Sequence, residues 1–389
     1  MPTRGTATAI SAPTVFDGGR LLPNHCVVVL GDAITQLLPT AQCPAGLDVI
    51  TLEHGILAPG FIDLQVNGGG DLMLNNAPER ATVNAMHSAH RALGTTSMLP
   101  TVMSDTREVQ QAAVNAVRAA RTAGNPGIAG IHIEGPFFAP ARRGAHNAAM
   151  SRPAENRDID WLCALEDLRV IVTLAPEHVS PDQIERLARS GVHVCAGHTD
   201  ASYQQIRDAS ARGLRGITHL YNAMRPLSAR DPGTVGAALD DDSLWAGIIA
   251  DGHHVHPANI RLAHAAKPGG KLVLVSDAMA TAGGKRPSFD LYGENIREHN
   301  GCLINADGAL AGSTIGLIDA VRYAHLGAGI PLEECLRMAS LYPAAVLKLD
   351  GTLGHIASGC RADLVHFNED FMVCNTWLAG QRQSHNHSY

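Results

Sequence analysis

Short apolar runs recur through the middle of the chain, each followed by a stretch whose apolar residues return at helical spacing. In order they are PGFIDLQV (59–66), TTSMLPTV (95–102), IAGIHIEG (128–135), LRVIVTLAPE (168–177), VHVCAGHT (192–199), LRGITHLYN (214–222), LWAGIIADG (244–252) and KLVLVSDA (271–278). Between them ERATVNAMHSAHRALG, SDTREVQQAAVNAVRAARTAG, SPDQIERLARSG and TDASYQQIRDASARG have an amphipathic helical period. Ser104, Ser180 and Thr199 stand where N-caps of the last three belong. Eight strand–helix units in about 250 residues is the count of a (β/α)8, TIM-like barrel. The competing α/β arrangement, an open doubly wound sheet, usually carries a Gly-rich phosphate fingerprint after its first strand. NGGGD at 67–71 lacks that form, and no helix follows it at once. The chain ends differ from the middle. TATAI, CVVVL, AITQLLP and DVITLE near the start, and ADLVHF and MVCNTWLAG near the finish, are short β-type segments punctuated by Gly, Asp, Asn and Pro. The pattern predicts a barrel over 59–353 and a small β-sandwich domain built from 1–58 plus 354–389.

The run IHIEGPFF raises a chemical question. Side chains alternate faces along a strand, so His132 and Glu134 share a face opposite Ile131 and Ile133. An unpaired carboxylate in a core costs several kcal/mol. Barrel active sites lie at the C-terminal ends of the strands, and there this chain places polar groups repeatedly: Gln65 and Asn67, Glu134, Glu177, His198, His219, Asp251 and Asp277. Any one of them alone reads as a helix cap or a loop residue. Glu134, His198 and His219 end the third, fifth and sixth strands. Two imidazoles and a carboxylate with a position left open make a catalytic rather than a structural metal site. Zinc suits that set, and iron, cobalt or manganese could occupy it; three unrelated strand-end residues is the alternative. Asp277 ends the eighth strand, beside such a site as a proton carrier or else as the cap of the next helix.

Composition narrows the picture. The formal net charge is −7, with 30 Lys and Arg against 37 Asp and Glu, so there is no basic footprint for nucleic acid. An anionic substrate needs a local cationic pocket, because the overall field disfavours it. Eight cysteines are scattered without a CxxC pair, the usage of reduced thiols rather than of a cysteine zinc site. No apolar run approaches the ~20 residues that span a bilayer. MPTRGTATAISAPTVFDGG lacks a long apolar leader core, and the expected location is the cytoplasm.

IHIEGPFF, AGHTDAS, THLYNAM, ADGHHV, SDAMATAGG and AGST, in that order, with PGFIDLQVNG before them and GCRADLV after, resemble the N-acetylglucosamine-6-phosphate deacetylases of the amidohydrolase superfamily. The resemblance spans essentially the whole chain. It implies a homodimeric hydrolase releasing acetate from N-acetylglucosamine 6-phosphate, with one divalent metal ion per subunit, zinc or else Fe2+, Co2+ or Mn2+. It places that ion on Glu134, His198 and His219, makes Asp277 the general acid/base, and sets His146, Asn222, Ala223, Arg230 and His254 against the substrate. Where many superfamily members carry His-x-His at the end of strand one, this chain has Gln65-Val66-Asn67. Amides are weak ligands, so a single-metal site is expected, with Gln65 a possible auxiliary ligand to metal or water. The 4-epimeric N-acetylgalactosamine 6-phosphate, or another amide, remains an alternative substrate.

Overall fold

The computed structural model describes residues 7–306 and 308–385; positions 1–6, 307 and 386–389 of the two expected domains lie outside the described residues. The eight expected apolar runs form one parallel sheet. Its strands are β1 (Phe61–Val66), β2 (Thr95–Val102), β3 (Ile131–Glu134), β4 (Val170–Leu174), β5 (His193–Ala196), β6 (Gly216–Ile217), β7 (Trp245–Ile248) and β8 (Leu272–Leu274). Each pairs with its successor in sequence. The ring closes just beyond β8, where Asp277 N–H donates to Gln65 O at 3.1 Å and Asn67 N–H to Ala278 O at 2.9 Å. Every residue of β1 and β2 is buried. Helices outside and packed side chains inside cover both faces of such strands, which is why they read as continuous apolar runs rather than alternating ones.

The helices between strands begin at caps that differ from two of the three expected. Thr106, not Ser104, caps Arg107–Thr122, and Ser202, not Thr199, caps Tyr203–Ala211; Ser180 caps Pro181–Arg189 as predicted. The displaced pair have other partners. Ser104 bonds to His146, and Thr199 Oγ1 donates to Glu177. Both lie at the strand ends, where the polar groups needed at the barrel mouth compete for them.

A second, eight-stranded sheet comes from the two chain ends. Thr8–Phe16, Leu21–Leu30, Ala33–Pro39, Asp48–Thr51 and Ile56–Pro59 supply its first part, and Leu364–Phe367, Val373–Leu378 and Gln381–Ser384 the rest. Ile56–Pro59 joins the halves, parallel to Thr8–Phe16 on one side and antiparallel to Leu364–Phe367 on the other. Ile10, Val27, Ile34, Leu57, Leu364 and Trp377 form its own core. A third sheet, Ser288–Leu291, Glu294–His299 and Cys302–Ile304, follows β8. Its Leu291, Ile296 and Leu303 pack on Met73, Met103 and Met279 beside the mouth of the barrel.

Candidate active site

Glu134 is the last residue of β3, and the chain must turn at once. Gly135 does so at φ +87°, where a Cβ would lie 2.1 Å from Ser104 Oγ. His198, His219 and Asp277 follow β5, β6 and β8 with φ of 50°, 31° and 51°. Non-glycine residues adopt such left-handed angles at a cost of order 1–3 kcal/mol, and only where the surroundings over-determine them. Here the twist turns the three candidate side chains into the shared cavity.

The inward groups converge. Glu134 Oε1 lies 3.3 Å from His198 Nε2 and 3.2 Å from His219 Nε2, and the two imidazole nitrogens are 3.0 Å apart. All three residues are buried. His198 Nδ1 lies 2.9 Å from Arg142 O and so carries the donated proton, leaving the Nε2 lone pair facing the cluster. Burial, offset only in part by Glu134, lowers the His198 pKa and keeps the ring neutral. Burial works against the Glu134 charge too, but the adjoining His198 and His219 rings hold its carboxyl well below the usual range. A carboxylate and imidazole lone pairs aimed at one point are the donor set of a divalent cation, and their ligand atoms lie within 4.8 Å of one another. The residues fit the ion that the sequence implies.

Asp277 stands beside this cluster. Gln65 Nε2 and Asn67 Nδ2 donate to its Oδ1 at 3.0 and 2.7 Å. Gln65 Nε2 also donates to Glu134 Oε1 at 3.0 Å, so its amide nitrogen bridges the two carboxylates and acts there as a donor. Burial and then the Glu134 charge push Asp277 up to about 6, in the range that suits a group taking and returning a proton near neutrality.

Ser104 N–H donates to His146 Nδ1 at 3.1 Å. The neutral ring therefore carries its proton on Nε2, which lies 3.8 Å from Glu134 Oε2. Burial and the neighbouring His198 keep His146 well below its ordinary pKa. His254 Nδ1 is paired with Asp251 Oδ2 at 2.6 Å. Glu134, His146, His198, His219, Asn222, Ala223, His254 and Asp277 all line one cavity of about 310 Å³. Gln65 sits just behind it, and Arg142 lies on its rim. Arg230 is exposed and does not line this cavity. Glu177 is also elsewhere: it accepts from Thr199 Oγ1 and from Asp200 N–H, fixing the loop after β5.

Met103, Met279 and Leu310, none of them expected at the site, give the cavity its apolar wall, while Ser104, expected only as a helix cap, and Tyr292 stand behind His146. Tyr292 O–H donates to Ser104 O at 2.7 Å. Tyr292-Gly293, at φ 54° and 81°, turns the first hairpin of the third sheet, and Asn300-Gly301, at φ 51° and 81°, turns the second; the signal in the sequence was the Asn-Gly pair, the dipeptide of a tight hairpin turn.

Comparison with known proteins agrees with this geometry. Residues 56–382 match the model of the amidohydrolase family. An N-acetylgalactosamine-6-phosphate deacetylase of Shewanella sp. (strain ANA-3) is 41% identical over 377 residues, 94% of this chain and 95% of the relative. An N-acetylglucosamine-6-phosphate deacetylase of Haemophilus influenzae is 33% identical, covering 93% and 95%. The crystal structure of N-acetylglucosamine-6-phosphate deacetylase from Pasteurella multocida superposes with a TM-score of 0.94 at 36% identity, covering 97% of this chain and 100% of that one.

Proposed function

Because this chain belongs to the amidohydrolase family, whose members are metal-dependent hydrolases, we propose that it hydrolyses the acetamide of N-acetylglucosamine 6-phosphate to glucosamine 6-phosphate and acetate. The observation that carries the reading is the Glu134–His198–His219 cluster with Asp277 beside it in one cavity. Glu134, His198 and His219 would hold a divalent cation, zinc in this proposal, which would supply Lewis-acid polarisation of water and of the acetamide carbonyl.

The chain's own residues do the rest. Asp277, held by Gln65 and Asn67 through one oxygen, keeps the other for the proton of the attacking water. It then passes that proton to the departing amine. His146 presents Nε2–H, fixed by the Ser104 bond, to the carbonyl oxygen as charge develops there. Asn222, Ala223 and His254 also line the cavity and take the sugar and its phosphate. Arg230, exposed and outside its own chain's cavity, is assigned to the phosphate in the neighbouring site of a cytoplasmic homodimer. A guanidinium is the natural partner of a phosphate dianion.

The 4-epimer is the second reading, and the 41% identity to the Shewanella relative favours it. The test is acetate release from N-acetylglucosamine 6-phosphate, N-acetylgalactosamine 6-phosphate and unphosphorylated N-acetylglucosamine, with metal counted per chain. Highest kcat/KM on the first, with one metal, is the expected result. Preference for the second keeps the mechanism and changes the substrate. No release from either phosphorylated sugar by metal-loaded protein overturns the reading.

A further inference from the structure

At the opposite end of the barrel from the active site is another cavity, of about 320 Å³ against about 310 Å³ for the active site. Ser97 near the start of β2, Arg121 near the end of the helix Arg107–Thr122, Arg169 immediately before β4, and Arg361 border it, with Asn125 and Thr352. No acidic residue lines it. Of its three half-buried guanidiniums, only Arg361 has a carboxylate partner: its Nε donates to Asp363 Oδ1 at 2.9 Å, and a second bond goes to Asp363 Oδ2. Arg361 also donates to Ser97 Oγ at 3.1 Å.

Arg121 and Arg169 have backbone partners instead. Arg121 Nη1 donates to Asp167 O at 3.3 Å, and Arg169 Nε to Leu347 O at 3.1 Å. The nearby carboxylate of Asp167 is engaged by Arg118 at 2.6 and 2.8 Å. Burial and then the Arg121 charge lower the pKa of Arg169. Two like charges thus share a concave, partly desolvated site in which neither has a carboxylate in direct contact among the described residues; Asp167, paired with Arg118, acts on Arg121 only as a neighbouring charge. Such an arrangement works against folding unless something compensates it, and it stands out in a protein of net charge −7.

We infer that this cavity is a second ligand site, taking a small phosphate monoester between Arg121 and Arg169, with Ser97, Asn125 and Thr352 around the remainder of the molecule. Planar guanidiniums match phosphate oxygens in geometry and charge. The cavity's volume is that of the site proposed for a sugar phosphate. The inference stands apart from the proposed activity, because none of its residues lines the active-site cavity.

The test is equilibrium dialysis of the full chain with radiolabelled inorganic phosphate and with glucose 6-phosphate, which lacks an acetamide, at low ionic strength. The wild-type protein is expected to bind one more equivalent than the Arg121→Gln/Arg169→Gln double variant, or to bind it at least tenfold more tightly. Arg169→Lys is expected to recover most of the binding. Acetate release by the double variant should stay within twofold of wild type. If the double variant misfolds by circular dichroism, the single Arg121→Gln change is used, with at least a fivefold weakening expected. Unchanged stoichiometry and affinity in the folded variant would overturn the inference. Equal binding of succinate would overturn the phosphate assignment.

Discussion

Asp277 carries the sharpest residue-scale consequence of the site. Its carboxyl is poised near 6 by burial and Glu134, and is oriented by two amides. Asp277→Asn removes the proton carrier while leaving Glu134, His198 and His219 in place. Turnover should fall by about 10²–10⁴-fold, with metal content per chain unchanged; near-normal turnover would remove Asp277 from the mechanism. Gly135 is a second such position. Alanine there meets both a positive φ and Ser104 Oγ at 2.1 Å, and Ser104 holds His146. Gly135→Ala should lower stability by roughly 1–3 kcal/mol, read in a denaturant titration, and should also reduce kcat. The residues proposed to do the chemistry were legible because polar groups ending apolar runs are conspicuous. The amide pair Gln65 and Asn67 was legible only as a departure from His-x-His, since their role depends on Asp277, more than two hundred positions away in sequence.

Among the elements, the hairpin sheet after β8 and the first barrel helix offer separate tests. The hairpin reaches the site through Tyr292, whose hydroxyl donates to Ser104 O. Tyr292→Phe loses that bond, worth about 1 kcal/mol, and should lower kcat several-fold by loosening the His146 support, with a smaller effect on melting temperature. An unchanged kcat would show that the hairpin does not position His146. The helix Arg80–Ala92 places His87 against the barrel, its ring nitrogen 3.1 Å from Thr96 O. Burial pushes His87 down to about 4 from an ordinary 6.5. The unfolded chain therefore takes up a proton near pH 6.5 that the folded chain refuses until about pH 4. Stability is full above 6.5 and declines as pH falls towards 4, by at most roughly 3 kcal/mol from this group. The melting temperature of His87→Gln should decline less between pH 7 and pH 5 than that of the wild type; parallel declines would exonerate His87. Barrel strands and helices were readable from period alone. Two N-caps were not, because Ser104 and Thr199 satisfy the same local pattern as Thr106 and Ser202, and the choice fell to His146 and Glu177 across the barrel mouth.

For the whole molecule, the three proposed ligands stand at the rim of a barrel whose core is apolar and independent of them. Removing metal with a chelator should abolish acetate release and leave the far-ultraviolet circular dichroism spectrum unchanged; collapse of the spectrum would make the ion structural. No helix among the described residues is long and apolar enough to cross a membrane, in keeping with the short apolar runs of the sequence. Those runs, eight in number, determined the barrel by themselves, because a strand covered on both faces has to be apolar throughout and a helix between two such strands has to be amphipathic. They also placed Glu134, His198, His219 and Asp277 at one end of it, since parallel strands bring all their C-termini to the same face. What only the tertiary structure decided is which polar groups meet there: that Gln65 and Asn67 hold Asp277, that Ser104 sets the His146 tautomer, that Glu177 braces a loop, and that Arg230 lies outside its own chain's cavity. Each of these depends on distances and backbone angles between residues remote in sequence, and a local pattern of polar and apolar positions carries no record of them.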